Sequence, residues 1–135
     1  MSDTVVVERS SLAIKITIKP DNGMALIECT GSLEAADARQ AVRALWETEG
    51  WPNELALWDF RQARFDIAAA DAREVGEFIL KNQPHDVPKR VAWVVAREVD
   101  FGMVRIFEVY REDARTAHRV FRDIDEAAAW LERGD

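Results

Sequence analysis

Short apolar runs alternate along this chain with amphipathic helical patterns, five of the first against four of the second. That order constrains the fold more than any single motif does. Strands interleaved with helices build a layered α/β structure, because each crossover helix must lie on a face of the sheet. The expectation is one mixed sheet of about five strands with about four helices, opening on a β-hairpin and continuing as alternating βα units. The 135 residues suit a single domain over 1–135, with 1–10 as a short arm. A domain near this size buries roughly two-thirds of the surface its unfolded chain exposes. With 48% hydrophobic residues it needs neither a disulfide nor a metal to fold.

Residues 12–19 alternate strictly: Leu12, Ile14, Ile16 and Ile18 share one side, and Lys15, Thr17 and Lys19 the other. This is the mark of a half-buried strand. Pro20-Asp21-Asn22-Gly23 is a turn, and Met24 to Thr30 returns as the antiparallel partner. Gly31-Ser32 is expected to break that strand. Ala38, Val42, Leu45 and Trp46 recur at helical spacing until Gly50 and Pro52. Leu55 to Phe60 is nearly continuous in apolar residues, which suits a strand covered on both faces. A second helix carries Ala72, Val75, Phe78, Ile79 and Leu80 on its buried side and stops at Asn82 and Pro84. Val91 to Ala96 is the clearest central strand, Arg115 to Phe121 an edge strand. Asp123 with Glu126 reads as a cap pair for a last helix whose inner face is Ile124, Ala127, Ala128 and Leu131. The parallel crossovers should be right-handed.

Charge narrows the partners. The 25 acidic residues against 18 basic ones leave a net charge of −7, which repels phosphate backbones, so no nucleic-acid partner is expected. The bases are 14 Arg and 4 Lys, and Arg suits fixed carboxylate or phosphate contacts. The one cysteine, Cys29, lies in an apolar run and reads as a small buried hydrophobe rather than a reactive thiol. No basic stretch followed by an apolar one opens the chain, and no apolar run approaches the ~18 residues of a membrane span. A cytoplasmic location is expected. No cofactor is implied, and no metal-ligand or nucleophile spacing is present.

The hairpin followed by Gly31-Ser32-Leu33-Glu34 and a helix resembles the opening of STAS domains, the fold of the bacterial anti-sigma-factor antagonists. The strand Leu57-Trp58-Asp59-Phe60, then Phe65 and a helix, continues the likeness. Arg119-Val120-Phe121 followed by Asp123, Glu126-Ala127 and Trp130-Leu131 looks most like the SpoIIAA-like subgroup, itself similar in fold to the Sec14 (CRAL-TRIO) lipid-binding domains. The resemblance covers about residues 12–132. In the anti-sigma antagonists a Ser at the start of the second helix is phosphorylated. Aligned on Phe65, this chain has Ile67-Ala68-Ala69 there, and no Ser or Thr lies between Thr48 and Thr116. The resemblance therefore implies partner binding without that phosphorylation switch.

Ligands of open α/β sheets bind outside the carboxyl ends of the parallel strands. Those ends carry Ser32 and Glu34, then Asp59, Arg61, Arg64 and Asp66, then Arg97, Glu98 and Asp100, then Asp123. Helix N-termini at the same edge favour anions. Arg61, Arg64 and Arg97 are the candidate cradle for a phosphate or carboxylate head group; the bland account pairs them with Asp59, Asp66 and Glu98. The third helix, capped by Asp100 and running to about Glu112, is apolar over an unusually wide arc. Met103, Ile106, Phe107 and Tyr110 share one face, while Phe101 and Val104 reach toward the polar side. Either the fold or a partner subunit of a homodimer covers the excess, or this helix meets an apolar ligand or a membrane surface. Phe101 and Val104 thus join the candidate ligand-binding residues.

The resulting expectation is a non-enzymatic binding or regulatory module. It would hold an apolar or amphipathic small molecule, a membrane surface or a protein partner through the second and third helices and the adjacent strand ends. The alternative is a STAS-type protein-interaction regulator without the phosphoacceptor Ser. A small hydrolase or transferase using Asp59, Asp66 or His85 would need those side chains to converge. His118 reads as a solvated or structural histidine, Trp58 and Trp93 as core, and Trp51 as a surface residue.

Overall fold

The computed structural model describes residues 4–9, 12–19, 23–48, 54–83, 88–98, 102, 105 and 116–133. The described residues form one mixed sheet of six strands in sequential order, β1 to β6. β1 (Thr4–Arg9), β2 (Leu12–Lys19) and β3 (Met24–Leu33) pair antiparallel. β4 (Leu55–Phe65), β5 (Arg90–Val94) and β6 (Ala117–Phe121) then add in parallel to β3. Three helices accompany them among the described residues: α1 (Ala35–Trp46), α2 (Ala69–Asn82) and α3 (Ile124–Arg133). The expected helix over 100–112 lies almost entirely outside the described residues, and with it Phe101, Val104 and its apolar arc. Trp51 and His85 lie outside them as well.

Two covers flank the sheet. On the first face Ile14, Ile16 and Ile18 of β2, Ile27 of β3, Trp58 and Phe60 of β4 and Trp93 of β5 pack against Ala41, Val42 and Leu45 of α1 and Val75 and Ile79 of α2. On the second, Leu57, Val94 and Phe121 pack against Ala127, Trp130 and Leu131 of α3. The period of two in the strands sends alternate residues to these two cores, which is why β4 and β5 read as continuous apolar runs.

Several boundaries differ from the sequence reading for identifiable reasons. The N-terminal arm is an edge strand: Val7 pairs with Ile14 and Val5 with Ile16. Gly31-Ser32 does not end β3. Gly31 takes φ 106, open to a residue without Cβ, and the strand runs on to Leu33 because the far end of β4 offers it a partner through Ala63, Arg64 and Phe65. Leu80 is exposed and Phe78 half-buried, since the stripe Ala72, Val75, Gly76 and Ile79 already fills the buried side of α2. The start of α3 is as read: the Asp123 carboxylate accepts the backbone N–H groups of Asp125 and Glu126 at 2.8 and 3.1 Å.

Candidate functional site

The carboxyl ends of β3, β4, β5 and β6 point to one edge, and the chain turns each of them there with different chemistry. β3 passes into α1 at Glu34, whose backbone N–H donates to Asp37 Oδ2 at 3.0 Å. The Asp66 N–H donates to the Leu33 carbonyl at 2.8 Å and ties the ends of β3 and β4 together. Between Glu28 and Thr30 the register against β4 jumps, from Glu28↔Asp59 to Thr30↔Gln62. Two β4 residues, Phe60 and Arg61, therefore face the one residue Cys29. This is a β-bulge, a device that re-aims side chains at the end of a strand.

The bulge lets Arg61 fold back over Asp59. Its Nε and Nη2 donate to the two carboxylate oxygens at 2.9 Å each, and its backbone N–H donates to Oδ1 at 3.0 Å. The Asp59 side chain is 8% exposed and the Arg61 side chain 42%. Burial pushes the Asp59 carboxyl up, but the hydrogen bonds and charge of Arg61 outweigh it and hold the group below the usual carboxylate range. The hydrogen bond to Asp59 raises Arg61 in turn, with the charges of Asp125 and Glu28 adding to the effect. This carboxylate is kept ionised and fully engaged, which is the wrong state for a general acid. Asp66 is exposed beyond the end of β4.

The other candidate arginines sit along the same edge. Arg64 is exposed near the end of β4, opposite Ser32 in register, and Arg97 is exposed after β5. Glu98 forms its ion pair with Arg122, which follows β6. Of the pairings read from the sequence, Arg61–Asp59 is made, and Glu98 bonds Arg122. At the start of α2 the helix is capped by Ala68, which has no side-chain acceptor to offer, and Ala68, Ala69 and Ala70 are exposed. The first N–H groups of that helix are thus left to solvent or to a visiting acceptor. Among the described residues, no three His, Cys, Asp or Glu side chains gather in a metal-binding group, and no helix is long and apolar enough to cross a membrane.

Behind this edge lies a cluster of rings on the first face. Trp58, Phe60 and Trp93 form a triangle, with centroid spacings of 6.0 Å for Trp58–Phe60, 5.6 Å for Trp58–Trp93 and 5.9 Å for Phe60–Trp93, and Phe65 meets Phe60 at 4.8 Å. His118 on β6 joins the cluster, stacked 6.1 Å from Trp93 and accepting the indole N–H at 3.4 Å. It is half-buried and structural, not solvated. A cavity of about 20 Å³ lies between these rings and the inner sides of α1 and α2, bounded also by Leu33 and Val42. Its volume matches about one water, but its walls are apolar, so a water would find no partners. The Cys29 thiol lies in the same core, where burial, and then the Asp59 charge, pushes it up.

The sequence reading took β6 as a plain edge strand and overlooked the cluster beside it. Arg119 lies over the Phe121 ring, 5.4 Å from its centroid, and Phe121 meets Trp130 of α3 at 5.7 Å. The signal was available: Arg119 and Phe121 share a strand side, and Trp130 and Arg133 share a helix side.

No protein-family model matches the chain, and no curated protein matches it in sequence. Solved structures do match it in shape. One is an uncharacterized DUF3478-family protein with a SpoIIAA-like fold from Shewanella loihica PV-4, with a TM-score of 0.55 and 21% identity over 97% of this chain and 98% of that one. Another is an anti-sigma factor antagonist from Mycobacterium paratuberculosis, with a TM-score of 0.52 and 10% identity over 97% of this chain and 94% of that one. Hairpin, alternating βα units and closing helix thus belong together as the SpoIIAA-like fold, the fold of the STAS domains that the sequence resembles.

Proposed function

We propose that this chain is a non-enzymatic regulatory module that binds a protein partner at the carboxyl edge of its sheet, without a phosphorylation switch. The observation that carries the reading is the start of α2. Ile67 is buried, and Ala68 and Ala69 after it form an exposed helix entry with no hydroxyl, so no phosphoryl group can be placed there to turn binding on or off. Arg64 and Asp66 just before that entry, and Arg97 after β5 on the same sheet edge, are exposed charges of both signs, which suits a polar, readily reversible interface. The similarity in fold to an anti-sigma factor antagonist supports the reading. The test is affinity capture from the native cell with a crosslinker, using wild type and the Arg64→Glu/Arg97→Glu variant. One partner is expected with wild type and its loss with the variant at unchanged melting temperature. Capture of no partner, or equal capture by both, removes the proposal.

A second reading is an apolar or amphipathic ligand, supported by the aromatic walls of the small cavity; at about 20 Å³ it has room for about one water, so such a ligand would have to part the helices from the sheet. In it Phe101 and Val104 contribute to the apolar side, and Arg61, Arg64 and Arg97 the head-group side. Native mass spectrometry of the purified chain is expected to show a bound species under this reading, and a bare chain after mild extraction from its own cell would exclude it.

A further inference from the structure

We draw no further inference here: the strongest candidate, the surface groove between β6 and α3 lined by Phe121, Glu126 and Trp130, carries nothing because nothing in the structure shows what covers it.

Discussion

The two faces of the sheet are built on different terms. The first carries two helices over β2 to β5 and is apolar throughout, with Trp58, Phe60 and Trp93 stacked at its centre. Among the described residues the second carries one helix, over β4 to β6, and admits a buried carboxylate, Asp59, at the border of its apolar cluster. Beyond the reach of α3, Lys15 of β2 is exposed on that same side. Full cover permits large rings in close contact, each ring pair adding about 0.5–1.5 kcal/mol beyond its buried area. The lighter cover of the second leaves charged side chains such as Lys15, Arg61 and Arg119 exposed. Among the described residues, packing is divided unequally between the two sides of one sheet.

That division makes ordered predictions. Trp58→Ala should be the most destabilising change, at about 3–5 kcal/mol in urea unfolding, because it empties the centre of the doubly covered face. Leu131→Ala, the fully buried contact of the singly covered face, should cost about 2–4 kcal/mol. A larger loss for Leu131 than for Trp58 would break the contrast. Asp59→Asn should cost about 1–3 kcal/mol at neutral pH, since it weakens three hydrogen bonds and leaves the Arg61 guanidinium without its counter-charge. Its pH dependence has a fixed sign. The folded-state pKa of Asp59 is depressed, so its contribution is present above the unfolded value near 3.9 and is lost as pH falls through the lower folded value. Wild type and variant should therefore converge in stability below about pH 4. The smallest effect is expected from Asp123→Ala, about 1 kcal/mol, because it removes the cap of α3 while the apolar face of that helix stays in place. Thermal melts followed by circular dichroism suffice to read it.

The sequence reading recovered the parts of the molecule where periodicity and burial agree. The alternation of Leu12 to Ile18, the continuous run around Trp93 and the Asp123 cap all have one physical explanation each, and the structure uses it. It lost the parts where pairing overrides composition. Arg61, Gln62 and Arg64 look like a loop, yet they extend β4, because a bulge and a matching partner in β3 satisfy the backbone while the side chains stay in water. The arm at residues 4–9 is too short and too ambiguous to be read as a strand without knowing that β2 has a free edge. At the candidate site the pair Asp59–Arg61 was legible as neighbouring opposite charges. The bidentate geometry was not, since it depends on the register jump. The cluster of Arg119, Phe121 and Trp130 escaped because its members belong to two elements that the fold brings together.

Cys29 carries a practical corollary. The chain has one thiol, sealed in the middle of the sheet and held protonated by its surroundings. An alkylating reagent can reach it when β3 separates from its neighbours, and hardly before. The rate of its labelling is thus a built-in clock for opening of the sheet, readable on the unaltered protein with no probe added to it.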